Sequence, residues 1–139
     1  MSAPSFVCGC DVVEVARLSA ALDRRSAMLT RLFTAREIAD ARRGDTLPGS
    51  QVERARLAAR FAAKEATRKA LGDLRLPFHA VEVRTERDGR PVLWLRGAAS
   101  ALSCSLSHDA GVALAVVVGV YPHGASLDAA ASPSVTPDR

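Results

Sequence analysis

A chain of 139 residues suits one domain with one core. Its formal charge of +4, almost all arginine, favours an acidic or phosphate-bearing partner but does not choose among them. With 48% apolar residues and only 4% aromatics, the core must be aliphatic, and a wholly disordered chain is excluded.

In chain order, residues 5–10 are apolar and β-compatible and predict a first strand, followed by Asp11. A helical pattern then places Val15, Leu18 and Leu22 on one face. Thr34 and Glu37 have capping-box spacing and predict a second helix. Residues 41–50 read as a loop. Ser50 and Glu53 repeat the capping-box spacing and open the longest predicted helix, 51–71, closed by Gly72. Alternating segments at 80–86 and 91–96 flank Asp88-Gly89, a strong hairpin signal. Residues 101–107 and 112–121 predict two more strands. Helices dominate the first half and antiparallel strands the second, which is α+β rather than a βαβ alternation. The domain is expected over 1–121. Residues 122–139, rich in Ala, Ser and Pro, read as a disordered tail.

The start of the chain meets Asp11 without a basic leader, so no signal peptide is expected. The run 111–121 is too short to span a bilayer. Cys8, Cys10 and Cys104 lack zinc-site spacing and read as free thiols in a reducing cytoplasm.

Two carboxylates stand out. Asp11 follows an apolar strand, where a carboxylate can face a cleft and bind a hard cation; a helix N-cap is the competing reading. Glu65 lies where the long helix turns from small apolar residues to charged ones. There, an i,i+4 pair with Lys69 is the plainer reading. Two carboxylates from separate elements suit Mg²⁺, which takes one or two together with waters and phosphates. Arg60, Lys64, Arg68 and Lys69 would then neutralise phosphates. Ser105, His108 and Asp109 are too close in sequence for a hydrolase triad. His108 can still line a cleft or be a plain turn residue. Arg17, Arg24 and Arg31 fall seven apart, near one stripe if a single helix carries them, with Arg25 adjacent. That is either a solvated face or a docking strip for an acidic helix.

Together these segments resemble the holo-acyl-carrier-protein synthase family of 4′-phosphopantetheinyl transferases. GCDVVEVARL (9–18) is similar to its N-terminal G-x-D motif, and LAARFAAKEATRKALG (57–72) to its R-F-A-x-K-E-A helix. FTAREI (33–38), RDGRPVLWLRG (87–97) and CSLSHD (104–109) resemble further family segments in the same order. The resemblance implies an α+β phosphopantetheinyl transferase fold, with a long helix packed on a small antiparallel sheet, and a homotrimer with sites between subunits. It implies transfer of phosphopantetheine from coenzyme A to a serine of an apo acyl carrier protein, for fatty-acid or polyketide synthesis. Asp11 and Glu65 match the family's catalytic Mg²⁺ ligands. Arg60, Lys64, Lys69, Pro91 and His108 match positions at coenzyme A. Arg17, Arg24 and Arg31 match the face that receives the carrier.

Two departures stand in the same motifs. Gly72-Asp73-Leu74 replaces the family's Gly-Thr-Gly, and Arg68 occupies a position that is often small or polar. The alternatives are a non-catalytic basic module for an acidic carrier, which gives no reason for the two carboxylates, and a nucleic-acid binder. The second rests on charge alone, without an aromatic stacking platform; neither nucleic acid nor membrane is expected as a partner.

Overall fold

A computed structural model describes residues 4–122. The expected disordered tail lies outside the described residues except for Pro122, which ends the last strand. The elements are β1 (Pro4–Glu14), α1 (Val15–Arg24), α2 (Ala27–Leu32), α3 (Ala35–Ala41), α4 (Gln51–Leu71), a 3-10 turn at Phe78–Ala80, β2 (Val81–Thr85), β3 (Pro91–Leu95), β4 (Ala98–Ala99), β5 (Ser103–Asp109) and β6 (Val112–Pro122). Two antiparallel three-stranded sheets form, ordered β1-β6-β5 and β2-β3-β4. The α+β reading therefore holds, with α4 packed on both sheets.

Local chemistry sets the helix ends. At α3 the capping box is complete: Glu37 N donates to Thr34 Oγ1 (3.2 Å) and Thr34 N donates to Glu37 Oε1 (2.9 Å). At α4 the box is half-formed. Glu53 N donates to Ser50 Oγ (3.3 Å), but the Glu53 carboxylate takes Gly49 N (3.0 Å) and pairs with Arg42 instead. Gly72, with φ 65°, ends α4 in the left-handed conformation that glycine adopts without a Cβ clash. The β5–β6 hairpin turns through Ala110 (φ 50°) and Gly111 (φ 77°), both left-handed, as a two-residue turn with the strands' twist requires.

Helix α4 is buried over most of its circumference, including Leu57, Ala58, Ala59, Ala62, Ala63 and Ala66. On one side it packs against Val81, Val83, Leu93, Leu95 and Val117 of the sheets; on the other, against Leu18, Leu22, Leu32 and Phe33. Alanine explains the first contact. With so small a side chain, strands can approach the helix backbone closely, and Gly9 of β1 does so. A Cβ built on Gly9 would lie 2.0 Å from Ala66 O and 2.7 Å from Ala70 N.

Two sequence readings change here. The strand that ends at Cys10 in the sequence reading runs on to Glu14, paired with β6 throughout. The single helix that a common stripe of Arg17, Arg24 and Arg31 would need is interrupted at Arg25 and Ser26, so Arg17 and Arg24 lie on α1 and Arg31 on α2.

Candidate active site

Along β1 burial alternates, so Val7, Gly9, Asp11 and Val13 turn towards α4 while their neighbours face outward. The close crossing at Gly9 thus carries Asp11, two residues on, to the C-terminal half of α4. Lys69 Nζ donates to Asp11 Oδ1 (3.0 Å) and to Cys10 O (3.1 Å). This carboxylate hydrogen bond and the Asp11 charge push the Lys69 ammonium above its ordinary pKa. One turn earlier on α4, Glu65 Oε1 pairs with Arg68 Nη1 at 2.7 Å. Asp11 and Glu65 stay partly open, their side chains 18% and 23% exposed.

Both carboxylates line one cleft of about 930 Å³. Leu18, Met28, Phe61 and Phe78 form apolar walls, and Arg17 stands at the same cleft. Asp11 is not a helix cap; the α1 cap position belongs to Glu14. Nor do Glu65 and Lys69 pair with each other. Lys69 turns to Asp11 and Glu65 to Arg68.

The remaining expected residues divide. Lys64 does not reach a cleft. Its ammonium is fully enclosed, 2.6 Å from Glu37 Oε1, and donates to Val81 O (2.7 Å) and Phe78 O (2.9 Å). Burial pushes its pKa down, opposed by the Glu37 charge. In place of the expected phosphate contact, Lys64 ties α4 to α3 and β2.

Arg60, Pro91 and His108 meet at a second cleft, of about 220 Å³, with Asp40, Arg43, Arg56 and Thr85. Arg60 Nη2 donates to Thr85 Oγ1 (3.0 Å), and burial lowers its pKa. Arg43 and Arg56 were not singled out from the sequence. Arg56 is one turn before Arg60 on α4, so helical spacing was the available signal. Arg43 comes from the α3–α4 loop, held as Arg56 Nη1 donates to its carbonyl (3.2 Å). Arg17, Arg24 and Arg31 are all exposed.

The Asp11–Glu65 donor set fits a hard divalent cation. Lys69 and Arg68 each pair with one oxygen of these carboxylates, and the cleft leaves room for waters or an anionic ligand to complete the coordination. Among the described residues no group of three or more His, Cys, Asp or Glu could hold a metal ion.

The sequence model of the 4′-phosphopantetheinyl transferase superfamily matches residues 7–117. The chain belongs to that superfamily. The holo-[acyl-carrier-protein] synthase of Streptomyces coelicolor is 45% identical over 121 residues, covering 79% of this chain and 93% of that relative. Among solved structures, the Bacillus anthracis holo-(acyl-carrier-protein) synthase in complex with CoA (3′,5′-ADP) superposes with a TM-score of 0.67 at 32% identity, covering 84% of this chain and 96% of that one. The Helicobacter pylori holo-[acyl-carrier-protein] synthase in complex with coenzyme A gives 0.65 at 30% identity, covering 81% and 99%. The superfamily match spans every residue of the two clefts.

Proposed function

We propose that the protein moves the 4′-phosphopantetheine arm of coenzyme A onto a serine of an apo acyl carrier protein, in fatty-acid or polyketide synthesis. The observation that carries this reading is the convergence of Asp11 from β1 and Glu65 from α4 on one cleft, in a chain so similar to a holo-[acyl-carrier-protein] synthase. The serine Oγ attacks the β-phosphorus of coenzyme A, the bond from that phosphorus to the bridging oxygen breaks, and adenosine 3′,5′-bisphosphate leaves with the electron pair. The serine proton passes to a carboxylate of the Asp11–Glu65 pair. Asp11 and Glu65 would hold Mg²⁺, which supplies charge neutralisation at the pyrophosphate. Lys69, already beside Asp11, turns to the same phosphates. Arg60, with Pro91 and His108 at the second cleft, receives the other anionic end of coenzyme A.

The exposed Arg17, Arg24 and Arg31 receive the acidic carrier, with Arg17 nearest the chemistry. The active assembly is a homotrimer in which carboxylates of one copy and the Arg60 cleft of another share a coenzyme A. Two features support this. The Asp11–Glu65 pair and the Arg60, Pro91 and His108 group fall in separate clefts of the single chain. The outer face of β1 and β6 exposes Phe6, Val12, Val112, Leu114 and Val120, apolar residues of the kind that subunits bury. Free thiols at Cys8, Cys10 and Cys104 suit a cytoplasmic setting.

The test is intact-mass spectrometry of an apo carrier incubated with the protein, coenzyme A and Mg²⁺, alongside sedimentation of the protein. A phosphopantetheine mass gain that EDTA abolishes, from a trimer, is expected. A folded protein that gives no gain on either fatty-acid or polyketide carriers would instead be a carrier-binding module without turnover, and a monomer with full activity would refute the shared site.

A further inference from the structure

Arg68 sits at an unusual place for a cation. It is three residues after Glu65 on α4, and its Nη1 lies 2.7 Å from Glu65 Oε1. Its guanidinium carbon lies 4.7 Å from the centre of the Phe78 ring, which stacks in turn on Phe61 with centroids 5.7 Å apart. The side chain is only 16% exposed, and its buried Nε has no hydrogen-bond partner. Glu65, Phe61 and Phe78 are walls of the cleft, while Arg68 is not. The guanidinium is therefore clamped against the back of the very carboxylate that faces the cleft. Arginine stays charged at any working pH, so this positive charge is permanent.

We infer that Arg68 is a built-in brake on the metal site: it neutralises Glu65 in the resting protein and weakens the hold of the Asp11–Glu65 pair on a divalent cation. The inference rests on the proposed metal role of that pair. Two effects of Arg68 oppose each other. Its hydrogen bond orders the Glu65 side chain, which helps any ligand that Glu65 binds. Its charge repels an incoming double charge across a partly buried gap. The ordering effect is limited to the rotamer freedom of one glutamate. The repulsion between a unit and a double charge in a medium of reduced dielectric is the larger of the two. The net effect is a site that fills only when the cation brings further ligands of its own, as a cation carried on a pyrophosphate does. Metal loading is thereby coupled to arrival of the nucleotide co-substrate.

The test is direct Mn²⁺ titration of the full chain, followed by the loss of the free-Mn²⁺ paramagnetic signal, with no coenzyme A or carrier present. Arg68→Met keeps an apolar stem over Phe78 and removes the charge, and it should bind Mn²⁺ on the order of tenfold more tightly than the wild type. Arg68→Lys keeps the charge and loses the planar fork, and it should stay close to the wild type. Tightening on removal of a side chain is a result that a purely structural role would not produce. If Arg68→Met impairs folding by circular dichroism, Arg68→Gln replaces it in the comparison. Equal or weaker Mn²⁺ binding by the folded uncharged variant, with the wild type binding normally, overturns the brake and leaves the metal reading intact. Absence of Mn²⁺ binding from wild type and uncharged variant alike overturns both. Binding by the uncharged variant alone is the strongest form of the expected result.

Discussion

The Lys64 ammonium has three protons and meets three acceptors: Glu37 Oε1, Phe78 O and Val81 O. Glu37 in turn accepts from Thr34 N and, through Oε2, from Val83 N (3.0 Å). A buried charge pair is tolerable only when such bonds satisfy it, and removing one partner strands the other. Glu37→Gln should therefore cost about 3–5 kcal/mol in urea unfolding, because Lys64 would be left enclosed without its counter-charge. Glu53 makes a pH-dependent contribution. Burial alone would raise its pKa, but Arg42, the Gly49 N–H and the nearby Arg54 outweigh burial and hold it below its ordinary 4.5. Below that value the unfolded chain binds more protons than the folded one. The stabilisation is thus complete above about pH 4.5 and is lost as pH falls through the lower folded value. The melting temperature of the wild type should fall with acid in that window more steeply than that of Glu53→Gln, whose curve lacks the component. Parallel curves would show that Glu53 is not the group responsible.

At the scale of elements, the site depends on how closely β1 crosses α4. Gly9→Ala puts a methyl group 2.0 Å from the Ala66 carbonyl oxygen, which is backbone and cannot rotate away. The variant should lose about 3 kcal/mol in urea unfolding. Its transfer activity should fall as well, since β1 must move and Asp11 with it. Unchanged stability would mean that the strand has room it does not show. Much of this frame was legible in the sequence. The Thr34–Glu37 box, the long helix with its Gly72 stop and the Asp88-Gly89 hairpin all rest on short-range chemistry. The failures come from longer range. The sequence after Cys10 can be read as the start of a helix or as a continuing strand, and only pairing with β6 decides for the strand. Lys64 looks like a charged helix residue until Glu37, 27 positions earlier, is brought to it by the packing of α3 on α4. The second arginine cleft needs a loop residue, Arg43, whose position no local pattern predicts.

Across the whole chain, the Asp11 and Glu65 carboxylates line one cleft, and Arg43, Arg56 and Arg60 crowd another. No described helix is long and apolar enough to cross a membrane. Phe6, Val12, Val112, Leu114 and Val120 are exposed on the outer face of β1 and β6. On this account the fold serves to hold Asp11 and Glu65 together at the cleft. The most direct test is the rate of phosphopantetheine mass gain on an apo carrier with Asp11→Asn and Glu65→Gln, each confirmed as folded and in the same assembly as the wild type. The account predicts that each substitution slows transfer by at least about 100-fold at saturating coenzyme A. Transfer at the wild-type rate by either variant would contradict it.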